Sequence, residues 1–162
     1  MRISIPHQMQ PDNYTCGPTC LAMALDFFGK SYTHEAVVEL CKTKPGRGTE
    51  NHALVFAIVS HGLCAHTRQK STLADIEQSL HPRGIIIVNY FNPVSQVGHF
   101  AVVQGIDESM IYLADPKNGS DYSLGRPEFE SLWHNHTKTL EAWMVVIAEP
   151  YECQHGHCKG GR

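Results

Sequence analysis

The stretch that decides the reading of this chain is Gln10-Pro11-Asp12-Asn13-Tyr14-Thr15-Cys16-Gly17-Pro18-Thr19-Cys20-Leu21-Ala22-Met23-Ala24-Leu25. From Cys16 to Phe28 the apolar residues Leu21, Ala24, Leu25 and Phe28 recur at three and four, the period of one helix face, and Gly29 supplies the stop. A cysteine therefore stands in the first turn of an apolar helix. Pro18 suits that turn, where no N–H is missed. The start of a helix offers unpaired N–H groups and the positive end of the backbone dipole, and both favour a thiolate over a thiol. Gly17 is expected to let a carbonyl approach the backbone closely. Gln10, six residues upstream of the cysteine, is a candidate side-chain donor to an oxyanion, with the Cys16 N–H as the second donor.

Working outward, the first half of the chain reads as helical. Thr33 looks like an N-cap for a second helix whose stripe is Ala36, Val37, Leu40 and Cys41. A loop, Lys44-Pro45-Gly46-Arg47-Gly48, precedes a third helix that begins at Thr49 or Glu50 and runs through Leu54 and Ile58 to Gly62. The period then changes. Leu63 to Arg68 reads as a strand, and Ser71 or Thr72 caps a short helix through Ile76 and Leu80. Gly84 to Tyr90 is a buried-type strand. Gly98 to Ile106 and Met110 to Ala114 read as a hairpin about Asp107-Glu108-Ser109. A short helix from Arg126 to Trp133 and a strand from Ala142 to Ala148 follow. Helices first and antiparallel strands second predict an α+β fold, with the N-terminal helices packed on the sheet.

Two further residues give the cysteine partners. His99 follows Gly98 at the start of a predicted strand, and Asp115 lies just past the next one, before Pro116. By themselves the first reads as a core histidine and the second as a turn residue. Pairing of the two strands as a hairpin brings them to the same edge of the sheet, where an aspartate can hold the imidazole's tautomer and stabilise its charged form.

Bulk properties narrow the class. The 162 residues suit one domain, and 42% apolar with 18% charged residues is ordinary for a globular protein. Thirteen Lys and Arg against sixteen Asp and Glu leave a charge of −3 and no basic stripe, so nucleic acid is not an expected partner. The N-terminus lacks the apolar core of a signal peptide, and no run approaches the ~18 apolar residues that span a bilayer. Cys20, Cys41 and Cys64 fall on apolar faces, which favours buried free thiols and a cytoplasmic setting over a disulfide framework.

The ordered series Gln10-x5-Cys16-Gly17-Pro18-x-Cys20-Leu21-Ala22-Met23, Gly48-Thr49, Gly98-His99-Phe100-x-Val102-Val103 and Ala114-Asp115-Pro116 resembles the bacteriocin-processing, double-glycine cysteine peptidases. The likeness runs from about Gln10 to Trp133. It implies a papain-like cysteine peptidase fold with Cys16 as nucleophile and His99 as general base. Asp115 would orient the histidine, and Gln10 would complete the oxyanion hole, with no cofactor and no metal. It also implies a peptide or leader-peptide substrate cut after a small pair, usually Gly-Gly, and a separate peptide exporter as partner. In that family the domain commonly precedes an ABC transporter. Here the chain has neither membrane segments nor a G-x-x-x-x-G-K-[ST] motif, and the expectation is a stand-alone domain. The same residues serve an acyl-transferring or deamidating thiol enzyme. A non-catalytic leader-binding module is a third reading, opposed by the presence of all four residues.

The expected organisation is a peptidase domain over residues 1–150 and a flexible Cys/His/Gly-rich tail over 151–162. Cys153, His155, His157 and Cys158 gather metal-type ligands within six residues, although their spacing matches no usual paired-knuckle pattern, and a Cys153–Cys158 disulfide is the other reading.

Overall fold

The protein is described by a computed structural model over residues 1–135 and 137–155. Three helices open the chain: α1 (Cys16–Phe27), α2 (His34–Leu40) and α3 (Asn51–Ser60). They are followed by β1 (Cys64–Arg68), α4 (Leu73–Ser79), β2 (Gly84–Asn92), β3 (Val97–Ile106), β4 (Met110–Asp115), β5 (Gly119–Gly125), α5 (Arg126–Leu132), β6 (Met144–Ala148) and α6 (Pro150–Gln154). The six strands form one sheet in the order β1-β6-β2-β3-β4-β5, antiparallel at every junction. β2 to β5 is a meander. The last strand returns to lie between β1 and β2.

Alternation along the strands builds two cores. Ile85, Ile87, Phe100, Val102, Ala114, Val145 and Ile147 face one way and pack with α1, α2 and α3. Ile86, Val88, Tyr90, Ala101, Val103, Leu113, Met144 and Val146 face the other way, toward Ile76 of α4 and Phe129 and Trp133 at α5. Because both faces are covered, the central strands read as unbroken apolar runs instead of alternating ones.

Local signals set most of the element ends. The Thr33 side chain accepts from the Ala36 N–H and caps α2. Thr72 and Asp75 form a reciprocal capping box at α4. The β3–β4 turn is held by Asp107, whose Oδ1 accepts from the N–H groups of Ser109 and Met110. Three elements escape the sequence pattern, the first being α6, a short helix where a flexible tail from residue 151 is expected. β5, Gly-Ser-Asp-Tyr-Ser-Leu-Gly, has the composition of a loop and becomes an edge strand by pairing with β4. β2 runs two residues past Tyr90 because its ladder with β3 continues to Asn92.

At the C-terminal end, Pro150 occupies the first turn of α6, and Glu152 of that helix pairs with Arg83 at 2.8 Å. The Cys153 thiol is hydrogen-bonded with that of Cys64 on β1, which with burial pushes the Cys64 pKa up to about 11. Among the described residues, Cys16, Cys20, Cys41, Cys64 and Cys153 are thiols outside any disulfide. Residues 156–162, with His157 and Cys158 of the metal and disulfide readings, lie outside the described residues. Among the described residues no group of three His, Cys, Asp or Glu side chains could hold a metal ion, and no helix is long and apolar enough to cross a membrane.

Candidate active site

The N-terminal segment crosses the sheet before entering α1. Ile3 donates its N–H to the Gln104 carbonyl, His7 Nε2 donates to the Asp115 carbonyl at 2.8 Å, and the Gln10 N–H donates to the Pro116 carbonyl at 2.8 Å. This strap ends in a tight turn organised by Asp12. Its Oδ1 accepts from the N–H groups of Tyr14 and Thr15 and from the Thr15 hydroxyl at 2.7–3.0 Å. Thr15 makes no side-chain cap to α1. The Asp12 carboxylate is engaged by the turn, and Cys16 opens the helix directly behind it.

Cys16 is 8% exposed. Next to it, a Cβ on Gly17 would lie 2.7 Å from Thr49 Oγ1 and 2.8 Å from Thr49 Cβ. The glycine thus admits a side chain of the segment before α3, which corrects the expectation that it clears room for an incoming carbonyl. Thr49 is held in turn by a 2.6 Å hydroxyl–hydroxyl bond with Thr43.

His99 is 4% exposed and Asp115 fully buried. His99 Nε2 donates to Asp115 Oδ1 at 2.9 Å, which leaves Nδ1 for the hydrogen bond with Cys16. Burial works against the imidazolium, but the hydrogen bonds to Asp115 and Cys16 and their charges outweigh it and push the His99 pKa up to about 9. Burial likewise works against the Asp115 carboxylate. It is opposed by His99, by the Tyr90 hydroxyl at 2.7 Å on Oδ2 and by the N–H groups of Lys117 and Asn118, each 2.8 Å from Oδ1, so its pKa lies below the ordinary carboxylate value. Beside the histidine, a Cβ on Gly98 would lie 2.9 Å from Asn89 Oδ1, so a larger residue there would displace that side chain.

The structure thus brings Cys16, His99 and Asp115 together. Gln10 sits on the strap beside the Asp115-Pro116 corner, but its Nε2 donates to the Asp12 carbonyl at 2.6 Å, and its buried Oε1 has no partner. One amide hydrogen stays uncommitted. Cys20, one helical turn into α1, has no exposed surface. Burial and the neighbouring Cys16, Asp115 and Cys41 raise its pKa well above that of a free thiol, so it is a packing residue. Sequence reading missed Tyr90 and His7. Tyr90 is the direct cross-strand partner of His99, a relation that exists only once the β2–β3 register is known. His7 acts through a carbonyl 108 residues away, and no local pattern encodes that.

The peptidase C39 family model matches residues 4–142. An uncharacterised protein of Methanothermobacter thermautotrophicus is 33% identical over 111 residues, which cover 68% of this chain and 71% of that protein. The peptidase domain of Streptococcus ComA, a bifunctional ABC transporter of a quorum-sensing pathway, superposes with a TM-score of 0.73 at 22% identity, covering 88% of this chain and 97% of that domain. A double-glycine-motif protease from an AMS/PCAT transporter, solved with its leader peptide, has a TM-score of 0.68 at 20% identity, covering 91% and 94%. Both share the fold described above.

Proposed function

The chain belongs to the peptidase C39 family and is a cysteine-type peptidase, and from that premise we propose that it cleaves peptides after a Gly-Gly pair by a Cys16-His99-Asp115 triad. The observation that carries the triad is the buried His99, bonded on one side to Asp115 at 2.9 Å and on the other to Cys16. The double-glycine specificity is taken from the leader-bound protease that shares the fold.

In this reading the Cys16 thiolate attacks the carbonyl that precedes the scissile bond, and His99 holds the displaced proton at Nδ1. The oxyanion is met by the Cys16 N–H at the uncapped start of α1 and by the free amide hydrogen of Gln10. His99 then protonates the leaving amine, and the acyl group stays on the sulfur. In the second half-reaction His99 takes a proton from water, which releases the acid and restores the thiol. Asp115 does not titrate in this cycle. It keeps the proton on Nε2 and stabilises the imidazolium. A leader peptide is the proposed substrate class, and a peptide exporter the proposed partner.

The test is cleavage of a synthetic leader ending in Gly-Gly followed by a short cargo, read by mass spectrometry with and without an added amine. Wild type should release the leader acid, and Cys16→Ala should lose at least ~10³-fold in rate while melting like wild type. Full activity in Cys16→Ala would overturn the triad. A leader product heavier than the acid by the added amine less one water would overturn simple hydrolysis in favour of acyl transfer.

A further inference from the structure

We propose that Tyr90 is a positioning residue of this site, holding the Asp115 carboxylate and the His99 ring in their working orientation at once. The inference rests on the triad proposed above and adds a fourth side chain to it.

The two oxygens of Asp115 are held differently. Oδ1 accepts three hydrogen bonds, from His99 Nε2 at 2.9 Å and from the N–H groups of Lys117 and Asn118 at 2.8 Å each. Oδ2 accepts the Tyr90 hydroxyl at 2.7 Å. A carboxylate turns about its last bond in a broad, roughly two-fold potential, so nothing intrinsic assigns one oxygen to the histidine. The division of donors makes that assignment. Three converge on one oxygen, and among the described residues the phenol alone holds the other.

The same residue orients the base. Tyr90 and His99 are Cα partners across the β2–β3 ladder, and their rings meet edge to face with centroids 5.5 Å apart at 87°. Tyr90 is 1% exposed and leans on Phe129 of α5, 6.2 Å away, which in turn packs on Trp133 at 5.0 Å. The hydroxyl is thus set from behind by the second core. A phenylalanine would occupy the same space and keep the ring contact, but it would leave Oδ2 buried with one donor fewer. A buried charged acceptor that loses its partner responds by rotating or by holding a proton. Either response loosens Nε2 and, through the ring, Nδ1 at Cys16.

A tyrosine present only to fill the core would change stability alone. A positioning tyrosine changes the pH profile, and its effect passes through Asp115. The experiment measures the rate of Cys16 alkylation by iodoacetamide from pH 3 to 9, resolved to Cys16 by peptide mass, in wild type, Tyr90→Phe, Asp115→Asn and the double variant. Cleavage of a Gly-Gly coumarin amide supplies kcat and KM. The phenol lowers the Asp115 pKa, so its removal raises it. The acid limb of Tyr90→Phe should therefore move to higher pH. The alkylation rate on that acid limb and kcat should fall about tenfold, the range expected for one hydrogen bond to a charged group, with KM within about twofold. In the Asp115→Asn background, Tyr90→Phe should have no further effect.

A Tyr90→Phe protein slowed equally at every pH, or one whose loss adds in full to that of Asp115→Asn, would overturn the inference. The single Asp115→Asn variant separates the two levels. If it behaves as wild type, the triad itself fails. If it is slow while Tyr90→Phe is not, only the role of Tyr90 fails. Should Tyr90→Phe not fold, site-specific 3-fluorotyrosine at position 90 keeps ring and hydroxyl but makes a stronger donor. It should move the acid limb to lower pH, and an unmoved limb would overturn the proposal.

Discussion

At the scale of single residues, the site is defined by what each side chain is denied. Cys16 has a helix start without a side-chain cap, because Asp12 is occupied by the turn ahead of it. Gly17 is denied a Cβ by Thr49, so the small residue after Cys16 answers a packing demand. His99 is denied solvent and stays chargeable only through its two partners, and that has a consequence for stability. Its folded pKa of about 9 stands above the ~6.5 of an unfolded histidine. A raised histidine contributes its full stabilisation below the unfolded value and loses it as pH climbs through the folded one. Asp115, whose folded pKa is lowered, contributes above the ordinary carboxylate value and loses its contribution in acid. The wild-type melting temperature is thus expected to fall between about pH 6.5 and 9.5, and to fall several degrees less in His99→Ala. Parallel melting curves for the two proteins across that window would contradict the assignment.

At the scale of elements, the helices were legible because their signals are local. Apolar spacing in α1, the Thr33 cap of α2 and the Thr72–Asp75 box of α4 lie within a few residues of the backbone groups that they satisfy. The β3–β4 hairpin was legible for the same reason, with Asp107 tying its own turn. β5 was not legible, since a segment beginning and ending in glycine becomes a strand only when β4 offers it an edge. α5 is a short helix with a large role, because its Phe129 is fully buried against Tyr90 and Trp133. Phe129→Ala is expected to cost about 3–5 kcal/mol, the usual range for emptying a buried aromatic site, and to lower Cys16 alkylation by freeing Tyr90. Chemical denaturation gives the first quantity and site-resolved mass spectrometry the second. A destabilised variant with an unchanged alkylation rate would detach α5 from the chemistry.

At the scale of the whole molecule, one sheet serves two cores. Every central strand contributes alternate residues to the α1–α3 side and to the α4–α5 side, so neither core can open without exposing the back of the other. Unfolding is therefore expected to be a single transition, with far-ultraviolet and near-ultraviolet dichroism coinciding on heating. Two separated transitions would show that the helical half opens independently.

The helices α1 to α5, the strand-rich second half and the order of Cys16, His99 and Asp115 along the chain were legible in the residues alone, because periodicity and side-chain chemistry act over short distances. Only the tertiary structure decided that β6 returns between β1 and β2, that β5 joins the sheet, that Thr49 fills the space at Gly17, and that Tyr90 and His7 reach Asp115. Those contacts join residues far apart in the chain, and strand register and the covering of both sheet faces choose them together. The residues concerned carry no local mark of their partners.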